Sequence, residues 1–180
     1  MTAALLLDPV LLRALAAVLS VILLVGGWQK LRDPQLFAAA IDNYRLLPES
    51  LSPLLARLLP LFEIAAGLLL LAPEYSELGG GLAIAVLLLV TAAVAINLLR
   101  GHADFDCGCG GLSPQRLSWG LVLRNVLLLL LAALAMQQDG GRALVWIDYL
   151  TVAGATLGLL GLYVAANQLL TTAPAAVSLR

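Results

Sequence analysis

The reactive side chains of this chain are concentrated in one stretch. Arg100-Gly101-His102-Ala103-Asp104-Phe105-Asp106-Cys107-Gly108-Cys109-Gly110-Gly111 holds both cysteines and the single histidine of the 180 residues. Two thiols separated by one glycine can close on each other, because glycine tolerates the tight backbone of so short a ring. A bridge of that size is strained, and strained disulfides are the more readily reduced ones. As a staple it contributes little, since the loop it closes is nearly the shortest there is. Thiol–disulfide redox chemistry is therefore the leading reading, with Cys107 and Cys109 as the reacting pair. His102 could accept the proton of the attacking thiol. Asp104 and Asp106 oppose thiolate formation, whereas Arg100, Arg116 or a protonated His102 favour it. Two alternatives stay open. The soft thiolates of Cys107 and Cys109 with the imidazole of His102 could hold copper or zinc, although a closed zinc site needs a fourth ligand from Asp104 or Asp106. The thiols could also be buried and inert.

A second candidate lies inside an apolar run, Leu58-Leu59-Pro60-Leu61-Phe62-Glu63-Ile64. A carboxylate at membrane depth costs several kcal/mol unless it is protonated, paired or facing a wet cavity. The basic or amide partners considered for Glu63 are Arg13, Arg57, Asn97 and Arg124. One reading makes Glu63 and Arg124 a proton or quinone site beside the dithiol; the other makes Glu63 part of an interhelical ion pair that fixes the bundle. Pro60 removes a backbone donor nearby and is expected to kink its helix. Asn97, Asn125 and Asn167 read as interhelical hydrogen-bonding groups.

The elements that must position these groups follow from composition. The chain is 62% hydrophobic and 12% charged, with a mean hydropathy of +1.00. Soluble domains run near 45–50% apolar and about 25% charged, so this is the composition of an integral membrane protein. A net charge of −1 offers no basic patch for nucleic acid. About 20 apolar residues cross a hydrocarbon core roughly 30 Å thick. Five runs qualify: Pro9–Trp28, Leu51–Ala72, Gly79–Leu99, Leu117–Met136 and Leu150–Leu170. None alternates, which argues for helices and against a barrel. The first run is expected to be a retained span and not a signal peptide, because Asp8 stands where a basic region would lie. Pro34–Leu47 is too polar to cross, yet Leu36, Phe37, Ala40, Ile41, Tyr44 and Leu47 share one helical face. It reads as a helix lying in the interface. Gly79-Gly80-Gly81 and Gly140-Gly141 read as punctuation between spans. Gly154, Gly158 and Gly161 give the fifth span a small-residue face suited to helix packing. Trp28, Trp119 and Trp146 lie at span ends, as interface anchors do.

Five spans place Lys30, Arg32, Arg45, Arg57, Arg100, Arg116, Arg124 and Arg180 on one side and only Arg13 and Arg142 on the other. The positive-inside rule then puts the amino terminus outside and the cysteine connection, residues 100–116, on the cytoplasmic side.

Gly27-Trp28-Gln29-Lys30-Leu31, Tyr44-Arg45-Leu46-Leu47-Pro48 and Leu59-Pro60-Leu61-Phe62-Glu63 with Gly67 together resemble the DoxX-like membrane proteins. Asp106-Cys107-Gly108-Cys109-Gly110-Gly111 with Trp119 and Leu123-Arg124-Asn125 is similar to the MauE branch of that group, except that Gly110 stands where the pattern usually carries an aromatic residue. The resemblance covers about residues 10–135. It implies a four-helix core in the cytoplasmic (inner) membrane, here with a fifth helix appended. It also implies a role in maturing a disulfide-rich client such as methylamine dehydrogenase, beside a thioredoxin-like partner. Wider relatives imply quinone as an acceptor. A periplasmic client requires a loop facing outward or lying at membrane depth, against the charge count. The expectation is thus a membrane thiol–disulfide oxidoreductase. Its rival is a non-catalytic subunit or scaffold whose cysteines bind metal or merely pack. A transporter ranks third, since no duplicated broken-helix pattern occurs.

Overall fold

A computed structural model describes residues 8–102, 117–137 and 145–177, with side chains described to residue 169. Cys107, Cys109, Asp104, Asp106, Arg116 and Arg142 lie outside the described residues. The protein is all-α. Among the described residues six α-helices run α1 Pro9–Arg32, α2 Pro34–Asn43, α3 Ser52–Leu71, α4 Ser76–Leu99, α5 Trp119–Ala135 and α6 Trp146–Val177. Four of them are long and apolar enough to cross a membrane, while α5, at 17 residues, is roughly 25 Å long and at the lower limit. This is the architecture of a multi-pass membrane protein.

Local chemistry sets the boundaries. Asp8 caps α1 by accepting from the Val10 N–H at 2.8 Å, with Pro9 in the first turn where its missing donor costs nothing. Asp33-Pro34 separates α1 from α2, because a residue before proline is pushed out of the helical region. Asp33 then caps α2 through the Leu36 N–H at 3.0 Å. The Ser52 hydroxyl donates to the Asp42 carboxylate and ties the start of α3 to α2. At the end of α4, Gly101 adopts φ +75°, its N–H donates to the Leu98 carbonyl, and that of His102 donates to the Asn97 carbonyl. This left-handed glycine closure satisfies the last carbonyls and stops the helix.

Helices α1, α3, α4 and α5 form a ring in which α1 packs on α3 and α5, α3 on α4, and α4 on α5. Helix α2 lies against α3, and α6 packs chiefly on α1. Leu19, Leu23, Ala66, Leu70, Ala83 and Ala132 are among the buried residues at the centre of the ring. Phe37 and Ala40 of α2 meet Ala56 of α3, whereas Tyr44 packs with Val94, Leu117 and Leu121.

Three details depart from expectation. The segment predicted as a helix over 34–47 stops at Asn43, because Arg45 takes φ +49° and Pro48 follows; Leu36 is exposed, so the buried face is Phe37, Ala40 and Tyr44. The glycine triplet is not a break, since α4 begins at Ser76 and contains all three glycines. Gly154, Gly158 and Gly161 have open space where a Cβ would stand, so within this chain they are no packing face.

The triplet generates a graded prediction. A Cβ on Gly79 would stand 2.7 Å from the Leu70 backbone nitrogen, one on Gly80 would meet the movable Met136 side chain, and one on Gly81 would meet nothing within 4 Å. Gly79→Ala should therefore lower stability by about 1–3 kcal/mol through overpacking, whereas Gly81→Ala should raise it by about 0.5–1 kcal/mol through helix propensity. Gly80→Ala should fall between them. Thermal unfolding of the three purified variants in one detergent checks the order.

Candidate functional site

The described polar groups converge between α1 and α3. Gly27 of α1 abuts Pro60 and Ile64: a Cβ there would stand 2.9 Å from the Pro60 carbonyl oxygen and 2.8 Å from Ile64 Cγ1. Seven residues earlier on α1, the Ser20 hydroxyl donates to the Gly67 carbonyl at 2.7 Å, where the helices again touch backbone to backbone. These two contacts fix an antiparallel register. Side chains on a helix lean toward its own amino terminus. In this register Lys30 and Glu63 therefore lean toward one another and meet level with Gly26 and Gly27.

Lys30 Nζ lies 2.5 Å from Glu63 Oε1 and 2.6 Å from Oε2, with the two residues only 8% and 5% exposed. The Phe37 ring of α2 covers the ammonium with its centroid 5.6 Å from Nζ, a cation–π distance. The partner of Glu63 is thus Lys30. Arg13 lies about 25 Å away along α1 and lines a separate cavity with Glu74 and Glu77. Arg57 is exposed, and the Asn97 amide donates to the Ala93 carbonyl of its own helix at 3.1 Å.

Arg124 shares a cavity with the ion pair without bonding to Glu63. Its Nε and Nη2 donate to Asn125 Oδ1 at 3.3 and 3.2 Å, and its Nη1 donates to Asn167 Oδ1 at 3.1 Å. Among the described residues, Asn167 takes part in a bond between helices, whereas Asn97 and Asn125 bond within their own. The cavity has a volume of about 480 Å³ and is lined by Gln29, Lys30, Glu63, Arg124, Asn125 and Tyr163 among apolar residues. A second cavity, of about 570 Å³, lies on the α2 side of Lys30 and is otherwise apolar and aromatic, with Phe37, Tyr44, Leu55 and Ile96 in its wall. Lys30 therefore separates a polar chamber from an apolar one.

His102 is exposed, directly after the glycine closure of α4. The other described edge of the cysteine connection, Leu117, is buried against Tyr44 and Val94. Both edges stand at the end of the bundle that holds Lys30 and α2. Among the described residues no group of three or more His, Cys, Asp or Glu side chains could hold a metal.

Residue types missed one feature, the role of Lys30. Its signal was the pair Gly26-Gly27 three and four residues before it, marking a close helix approach on the face that Lys30 shares. The pair generates its own prediction. Removing one partner strands a buried charge, so Glu63→Leu or Lys30→Met alone should cost about 3–5 kcal/mol. The double variant should recover most of that loss, because an apolar pair of similar volume is close to neutral. A double-mutant cycle on unfolding midpoints in detergent measures the coupling.

Comparison with known proteins places residues 8–138 in a match to the family model described as methylamine utilisation protein MauE. The methylamine utilization protein MauE of Paracoccus denitrificans is 39% identical over 129 residues, 71% of this chain and 69% of the relative. Its counterpart in Methylorubrum extorquens is 39% identical over 134 residues, 73% of this chain and 72% of the relative. That of Paracoccus versutus is 33% identical over 127 residues, 69% and 68% of the two chains. No solved structure matches this chain. The family match takes in Lys30, Glu63, both cysteines and Arg124, and ends before α6.

Proposed function

This chain belongs to the MauE family, and from that premise we propose that it is a membrane thiol–disulfide redox protein serving the maturation of a client enzyme. The client is methylamine dehydrogenase-like, by the methylamine utilisation role that the relatives' names carry. Cys107 and Cys109 are the reacting pair, His102 the neighbouring proton acceptor, and the inner membrane the location.

The observation that carries the reading is one of placement. Both cysteines stand in the connection from His102 to Leu117, whose two described edges are held at one end of the bundle by the α4 closure and the Tyr44 cluster. A rigid frame around a short dithiol segment suits exchange with a protein partner, since the attacking sulfur must approach the disulfide in line.

In the oxidising direction, a client thiolate attacks the Cys107–Cys109 bond, forms a mixed disulfide and displaces one thiolate. A second client thiolate then attacks the client sulfur and releases the other. The client has lost two electrons and two protons, and the pair has gained both. One pair cannot relay to another within the same chain, so a thioredoxin-like protein or a quinone must take the electrons onward. In the reducing direction the same steps run backward, with the thioredoxin-like partner as donor.

Cys107→Ser and Cys109→Ser should each abolish client disulfide formation while leaving the unfolding midpoint in detergent within about 1 kcal/mol of the parent, because so small a ring constrains little. Alkylation trapping in intact membranes should show the pair cycling between bridged and free forms. Thiols that stay reduced, become alkylatable only after chelation and are lost as ligands with His102→Ala would support a metal site instead. Thiols permanently free and unreactive would support the scaffold.

A further inference from the structure

The polar chamber beside the ion pair holds hydrogen-bonding groups that the protein leaves unanswered. Asn125 is 2% exposed and its Nδ2 donor has no hydrogen-bond partner; Gln29 Oε1 is likewise buried without one. Both residues line the same cavity of about 480 Å³. The orientation of the Asn125 amide is fixed, because its Oδ1 accepts two bonds from Arg124. Turning it over would set an NH₂ group against the guanidinium, donor against donor. Unpaired buried polar groups of this kind cost about 1–3 kcal/mol each and are normally met by a ligand or an ordered water.

The rest of the wall describes what would meet them. Leu23, Leu87, Leu128 and Leu160 make most of the chamber apolar, and its outer edge is formed by Val25 of α1 and Val164 of α6, which are 50% and 42% exposed. In a bilayer that edge faces lipid. A water-soluble ligand has no route through it, whereas a molecule dissolved in the membrane does.

We propose that this chamber binds a membrane-soluble amphiphile with a small, uncharged oxygen-bearing head, whose acceptor oxygen meets Asn125 Nδ2, whose hydroxyl meets Gln29 Oε1, and whose apolar tail leaves between Val25 and Val164. A quinol ring and a monoacylglycerol share this chemistry. Either head lies beside Lys30–Glu63, a pair already neutral as a whole, so an uncharged head enters without disturbing it. Binding does not depend on the dithiol. If the occupant is a quinol, it is the two-electron-reduced form of the quinone acceptor in the proposed function, and the chamber is where that acceptor couple docks.

Native mass spectrometry of the full chain in maltoside micelles tests this, titrated separately with decylubiquinol, with 1-monodecanoylglycerol and with decane. At least one head-bearing probe should give a one-to-one adduct at concentrations where decane gives none, and which of the two does so identifies the source. Asn125→Asp keeps the oxygen that Arg124 needs and replaces the donor by a second acceptor, so adduct affinity should fall about ten-fold. Gln29→Leu should weaken it similarly. The Cys107→Ser variant should bind as the parent does, which keeps failure of the redox reading distinct from failure of this one. Adducts equal in parent and Asn125→Asp, equal for decane, or absent with both head-bearing probes would overturn the proposal.

Discussion

An ionic contact at membrane depth constrains everything around it. Lys30 and Glu63 cannot each be buried alone, so α1 and α3 must cross where both can reach. Gly27 and Gly67 supply that crossing by letting backbone meet backbone, Gly27 level with the pair, against Pro60, and Gly67 about two turns farther along α3. Phe37 closes the remaining face of the ammonium. The cost of desolvating two charges thereby fixes a register, which apolar contacts alone would not do, since lipid is as good a partner for leucine as another leucine is.

Helix α1 is consequently the hub of the molecule. It meets α3 through the ion pair, α5 through the ring, and α6 on its outer side. The polar chamber exists because α1 has partners on both flanks. Lys30 and Glu63 form one wall, and Arg124 bridging to Asn167 forms the other by tying α5 to α6. Helix α6 lies beyond the residues that match the family, yet it contributes Tyr163 and Asn167 to that chamber. The appended helix is thus part of the site's wall and not only an additional membrane anchor.

Much of the helix order could be read from hydropathy, because a span announces itself by length and composition without any need to know its neighbours. Glu63 was legible for the same reason, as one charge in an apolar run is conspicuous whatever surrounds it. Its partner was not. Lys30 stands at the end of its span, where a basic residue is normally explained by topology, and its four-carbon stem allows the charge to lie well away from its own backbone position. The sequence offered Arg13, Arg57, Asn97 and Arg124 as partners, whereas the glycine contacts and the backward lean of both side chains selected Lys30. The glycine triplet misled in the opposite sense. Gly79 and Gly80 are helical because they allow α4 to approach α3 and α5, a use of glycine that local sequence cannot separate from a turn.

Under the proposed redox function, the division of labour between helix and connection follows from access. A thiol that exchanges with another protein must be approachable in line, which a position inside a packed span forbids. A connection alone, however, would leave the pair's location undefined relative to the membrane. Helix α2 and the residue that follows it address this with two rings set about two turns apart. Phe37 lies over Lys30, and Tyr44 packs against Leu117 and Leu121, where the chain re-enters the bundle after the cysteines. The α4 closure at Gly101 fixes the point of exit, and the Tyr44 cluster fixes the point of return. Both points are referred, through the same short helix, to the one contact that sets the register of the bundle. Positioning of the dithiol connection and burial of the ion pair therefore rest on a single element, and a change that dislodges α2 would disturb both together.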